Sequence, residues 1–162
     1  MPDALFSLLL DDADATDRLG AAFARLLRAG DVLLLEGQIG AGKTHFARAV
    51  IRTLLAANGA QEDIPSPTFT LVQTYDAGTE IWHSDLYRLT SPDEAIELGL
   101  EEAFDSAICL VEWPDRLGDL APDRALTLRF SYENEGQSRR VEGFGDRTWR
   151  GRLVAFLEDS DG

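Results

Sequence analysis

The run Gly37-Gln38-Ile39-Gly40-Ala41-Gly42-Lys43-Thr44 satisfies the pattern G-x-x-x-x-G-K-[ST] at every fixed position. Glycines at 37, 40 and 42 allow left-handed backbone angles, so successive NH groups can turn toward one point and cradle an anion at a helix N-terminus. In that arrangement Lys43 reaches the outer phosphates of a nucleotide such as ATP, and Thr44 offers its hydroxyl to Mg²⁺. Lys43 is also the only lysine among 15 basic residues. Arginine serves wherever any positive charge will do, and a compact ammonium is kept for the one place where a planar fork would not fit easily.

A Mg²⁺ ion needs, in addition, a carboxylate at the end of a neighbouring strand. Ile108-Cys109-Leu110-Val111-Glu112 supplies four apolar residues and then an acid, which makes Glu112 the preferred metal partner, directly or through water. Asp85 competes for that role, or could sit beside the γ-phosphate and orient the attacking water; either acid could instead be a solvated strand end. His83 shares the face of Asp85 if the strand is regular, and is either an orienter of the site or a hydrogen-bonded strand residue. His45, in the first turn after Thr44, is expected to be structural. Trp113 can stack on a base, meet a partner or pack in the core. Arg147, Arg150 and Arg152 form either a basic edge for a partner or a solvated helix face.

The elements that must position these residues are legible from periodicity. A strand over 4–10 and a helix over 15–28 precede the apolar run 31–36, which lacks alternation, as expected of a parallel strand covered on both faces. The glycine loop follows at once, and Phe46, Val50, Leu54 and Leu55 then recur at helical spacing over 43–57 up to Asn58-Gly59. Strands over 68–75 and 80–85 form a hairpin around Asp76-Ala77-Gly78. Ser91-Pro92-Asp93-Glu94 combines an N-cap serine, proline at the first helical position and an acid three residues on, opening one helix that runs to 104. A buried strand over 107–112, strands over 124–133 and 137–144, and a short helix over 147–157 complete an α/β fold. The expected architecture is a P-loop NTPase: a mainly parallel central sheet flanked by helices, with antiparallel hairpin additions, in a single domain over 1–162.

At 162 residues and 44% apolar content the chain can bury a substantial core. A net charge of −14 argues against an extended nucleic-acid face, since affinity for RNA or DNA rests on several basic contacts to phosphates. It leaves ATP binding open, because distant carboxylates are screened beyond about 8 Å at physiological salt. The run Leu5 to Leu10 has no basic residue ahead of it and is too short to span a membrane, so no membrane association and a cytoplasmic location are expected. Cys109, alone in an apolar run, reads as a buried small hydrophobe.

The loop, Ser66-Pro67-Thr68-Phe69-Thr70-Leu71-Val72, His83-Ser84-Asp85-Leu86-Tyr87-Arg88-Leu89 and Val111-Glu112-Trp113-Pro114, in that order, resemble the bacterial tRNA threonylcarbamoyladenosine biosynthesis ATPases, the TsaE (YjeE) family. The resemblance covers about 32–116. It implies a small ATPase working with the proteins TsaB and TsaD to support repeated modification of the adenosine beside the anticodon, with tRNA met only through those partners. It also implies Lys43 as phosphate ligand, Thr44 and Glu112 as Mg²⁺ ligands, Asp85 as needed for hydrolysis, and Ser66, Pro67, Thr68, Phe69 and Thr70 as a switch-like segment. Trp113 becomes a residue near the nucleotide or the partner contact. The family's usual loop reads close to G-D-L-G-A-G-K-T-T. Gln38, Ile39 and His45 depart from it, leaving a histidine NH, or nothing, where a second hydroxyl would touch the α-phosphate.

Two other functions fit the loop. A small-molecule kinase would need an acceptor site and an arginine-bearing lid, which 122–136 does not resemble. A nucleotide-gated binding module would signal by occupancy alone, with incidental hydrolysis.

Overall fold

Leu33 and Leu35 of the second strand enter one buried cluster and Val32 and Leu34 another, so both faces of that strand are covered, as its unbroken apolar run predicts. The structure is a computed structural model and describes residues 3–67 and 70–160. In chain order the elements are β1 (Phe6–Leu10), α1 (Ala13–Leu26), β2 (Val32–Gly37), α2 (Lys43–Ala57), β3 (Val72–Asp76), β4 (Glu80–Asp85), α3 (Pro92–Glu97), α4 (Leu100–Ser106), β5 (Ile108–Glu112), β6 (Leu126–Glu133), β7 (Ser138–Phe144) and α5 (Arg147–Ser160). A 3-10 segment, Pro114–Leu120, links β5 to β6.

The strands form one mixed sheet in the order β1-β7-β6-β2-β5-β4-β3. The four inner strands β6, β2, β5 and β4 run parallel, while β3, β7 and β1 are antiparallel additions at the edges. Phe23 of α1 and Phe46, Val50 and Ile51 of α2 pack on one face; Ala95 of α3, with Leu100 and Phe104 of α4, packs on the other. The two helices on the first face lie so close that a Cβ on Gly20 would come within 2.5 Å of the Ala49 Cβ. Among the described residues no helix is long and apolar enough to cross a membrane.

Four features differ from the sequence reading. The strand expected over 68–75 begins only at Val72, because Leu71 takes a left-handed φ of 70° and closes a turn by donating its NH to the Pro67 carbonyl at 2.7 Å. The single helix expected up to 104 is two, broken at Gly99 (φ 87°), where the Trp82 ring fills the space a Cβ would need. The Ser91 side chain makes no cap bond there; the Glu94 carboxylate instead accepts from the NH and hydroxyl of Thr90. Arg152 is no solvated residue: its guanidinium donates to both Asp31 carboxylate oxygens, at 2.8 and 2.7 Å, and to the Leu26 carbonyl, tying α5 to the entry of β2.

Cys109 is fully buried on β5, and burial, followed by the charge of Glu80, pushes its thiol up to about 12. The folded state therefore holds this proton more tightly than the unfolded chain does. Between the ordinary thiol value near 9 and about 12, folding stability falls as pH rises. Native protein at pH 9 is expected to resist iodoacetamide and to react once urea unfolds it, which mass spectrometry of the labelled chain would read.

Candidate functional site

The loop between β2 and α2 is shaped by two glycines whose left-handed backbone angles would strain any side chain. Gly37 (φ 141°) stands opposite Phe130 on β6, and a Cβ there would lie 2.4 Å from the Phe130 carbonyl oxygen. Gly42 (φ 110°) is the N-cap of α2 and brings the chain into the helix from a left-handed angle. The N-terminal end of α2 thereby lies at the C-terminal ends of β2, β5 and β4, the edge at which open parallel sheets bind ligands.

A cleft of about 440 Å³ opens at this edge, lined by loop residues including Ile39, Gly40 and Gly42, by Lys43, Thr44 and His45 at the start of α2, and by Asp85, Tyr87, Arg88, Glu112 and Trp113. Lys43 is only 4% exposed. Its Nζ donates to the Gly37 carbonyl at 2.6 Å and lies 3.5 Å from the centre of the Trp113 ring. Burial lowers its pKa, against which the Glu112, Asp85 and Asp115 carboxylates act. Trp113 holds its place through a left-handed backbone (φ 59°) directly after β5, with its ring 4.9 Å from that of Tyr87.

Strand register decides which acid meets the loop. Glu112 pairs with Leu35 on one side and with Asp85 on the other, so it is the carboxylate next to β2. Its Oε1 accepts from the Thr44 hydroxyl at 2.6 Å, and its Oε2 is 2.7 Å from His83 Nε2. Glu112 is 2% exposed and His83 is wholly buried. Asp85, one strand further out, is 7% exposed, and its Oδ1 accepts from the Tyr87 NH at 3.0 Å. Thr44 and Glu112 thus present a hydroxyl and a carboxylate oxygen to the same spot, a donor set suited to a hard cation that completes its shell with water and ligand oxygens. Among the described residues no three His, Cys, Asp or Glu side chains converge as a protein-only cage for a softer metal.

The other residues singled out in the sequence fall as follows. Ala41 is buried and Gln38 exposed, and neither lines the cleft. His45 is about half exposed, with Nε2 2.8 Å from the Asp17 carboxylate of α1. Thr68 and Phe69 lie outside the described residues. Pro67 and Thr70 do not line the cleft, but their segment reaches it through main chain: Leu71, bonded to Pro67, accepts the Asp85 NH at 2.9 Å. Tyr87 and Arg88 line the cleft without having been proposed as site residues; their position just past the end of β4, in the run His83 to Leu89, was the available signal.

The sequence model of the family described as threonylcarbamoyl adenosine biosynthesis protein TsaE matches residues 10–141. The tRNA threonylcarbamoyladenosine biosynthesis protein TsaE of Rickettsia conorii is 36% identical over 154 residues, covering 93% of this chain and 86% of that one. The protein of the same description from Treponema pallidum is 36% identical over 117 residues, covering 72% and 84%. The crystal structure of Bacillus subtilis YdiB aligns with a TM-score of 0.79 at 26% identity, over 100% of this chain and 99% of that one.

Proposed function

The chain belongs to the TsaE family, and from that premise we propose that it is a Mg²⁺-dependent ATPase of the P-loop class serving tRNA threonylcarbamoyladenosine formation in the cytoplasm. It works with TsaB and TsaD and meets tRNA only through them. The observation that carries this reading is the meeting of Lys43, Thr44, Asp85 and Glu112 in one cleft at the ends of β2, β5 and β4.

In this reading the loop NH groups and Lys43 hold the phosphates of ATP, and exchange of the Gly37 carbonyl for phosphate oxygen keeps the ammonium satisfied. Thr44 and Glu112 would hold Mg²⁺, which when bound neutralises charge developing on the phosphate oxygens. Asp85 orients the attacking water, its carboxylate held by the Tyr87 NH. The net charge of −14 argues against an extended basic surface for RNA, which supports partners as the holders of tRNA. The kinase alternative loses ground because 122–136, where it would carry a lid, is occupied by β6 and its turn into β7.

The test is ATP turnover by the chain alone, with TsaB and TsaD, and with tRNA added. Slow hydrolysis alone, a rise with partners, and many rounds of tRNA modification per complex are expected. Turnover indifferent to the partners, or stoichiometric phosphoryl transfer to a small metabolite, would overturn the proposal.

A further inference from the structure

Resting on the Mg²⁺-dependent reading above, we propose that His83 is a positioning residue that fixes the Glu112 carboxylate for the metal. His83 has no solvent exposure, and its Nε2 lies 2.7 Å from Glu112 Oε2. Its other nitrogen, Nδ1, is buried with no hydrogen-bond partner among the described residues. A carboxylate that serves a metal only accepts, so the tautomer this reading requires has its proton on Nε2, donated to Oε2. Burying an imidazole with one nitrogen unsatisfied opposes folding, and the side-chain hydrogen bond that offsets this is the one to Glu112. What the ring does for Glu112 is therefore the reason to have it there.

The effect on Glu112 is geometric. Thr44 engages Oε1 and His83 engages Oε2, so the two contacts together fix the plane of the carboxylate and decide which oxygen faces the start of α2. At 2% exposure Glu112 has almost no water to replace a lost donor. Without His83, Oε2 is left buried and unsatisfied, and the carboxylate is free to rotate away from Thr44. The period of two along β4 places Asp85 and His83 on one face, Asp85 at the cleft and His83 beneath it, opposite Leu110 of β5. One strand thus supplies a group at the reaction and a support for a group on its neighbour. Outer partners of this kind are worth 10- to 100-fold in metal affinity or activity.

The experiment compares wild type, His83→Leu and His83→Gln, whose amide nitrogen can stand where Nε2 does. Equilibrium binding of a fluorescent ATP analogue is followed as Mg²⁺ is titrated, and separately in EDTA, with the unfolding midpoint of each variant recorded. His83→Leu should raise the Mg²⁺ concentration for half-maximal effect by roughly 10- to 100-fold. It should leave binding in EDTA unchanged and lower the unfolding midpoint, since the buried Oε2 is left without a donor. His83→Gln should restore the Mg²⁺ response to within about 3-fold of wild type, the limit set by imperfect placement of the donor. A wild-type Mg²⁺ response in His83→Leu, or a His83→Gln variant as defective as His83→Leu, overturns the inference. Nucleotide binding by wild type that ignores Mg²⁺ overturns the underlying metal reading instead, and the two failures are distinguished by which protein shows them.

Discussion

Lys43→Ala is expected to lower ATP turnover by roughly 10²- to 10³-fold, the loss that follows removal of one preorganised donor from developing transition-state charge. Lys43→Arg should not recover it. The ammonium is 4% exposed and sits between the Gly37 carbonyl and the Trp113 ring, a space for a point charge and not for a planar fork. Both variants should stay folded, because α2 is anchored by Phe46, Val50, Ile51 and Leu55, not by the lysine. Phosphate release in the presence of TsaB and TsaD measures the loss, and circular dichroism checks the fold. Full turnover in Lys43→Arg would mean that charge alone suffices, and full turnover in Lys43→Ala would remove the loop from the chemistry.

Asp85→Asn should separate binding from hydrolysis. Asparagine keeps an oxygen that can accept the Tyr87 NH, so the turn after β4 survives while the negative charge is lost. ATP affinity by calorimetry is expected to stay within about 3-fold, since the phosphate cradle is built from other residues, while turnover falls by about 10²- to 10⁴-fold, the range for a positioned base. The same variant bears on how the site serves tRNA modification. If repeated modification stops in Asp85→Asn complexes that still bind ATP, hydrolysis drives the cycle; if it continues, occupancy alone is the signal and the gated-module function replaces the ATPase.

How much of this was readable in the sequence depended on whether the deciding interactions were local. The bounds of α2 and β4 agree with the sequence reading, because a glycine loop, a helical repeat and a strand ended by an acid are each set within a few residues. The break between α3 and α4 was hidden: Ile96, Leu100 and Phe104 keep helical spacing across it, and the break goes with Trp82 packed against Gly99 from a distant strand. The start of β3 was misplaced because the left-handed turn at Leu71 has no glycine to announce it. At the site, Lys43 and Thr44 came directly from the motif and Glu112 was preferred over Asp85 as the acid, but the contact between Thr44 and Glu112 needed the strand order. Only with β5 between β2 and β4 does Glu112 become the carboxylate that Thr44 touches. The link from His83 to Glu112 crosses the same strand boundary, so periodicity could set His83 beside Asp85 and no further.

The seclusion of Lys43 governs how an assembly containing this protein can be mapped. In 162 residues there is one side-chain amine, and it lies 4% exposed at the bottom of a cleft. Amine-reactive crosslinkers thus find almost no handle on this surface besides the chain's own α-amine, and an empty crosslink map would say nothing about whether a complex had formed. The 29 Asp and Glu residues, apart from buried ones such as Glu112 and Asp85, offer the opposite situation, so chemistry that couples acids to a partner's amines is the way to trace where this protein is held.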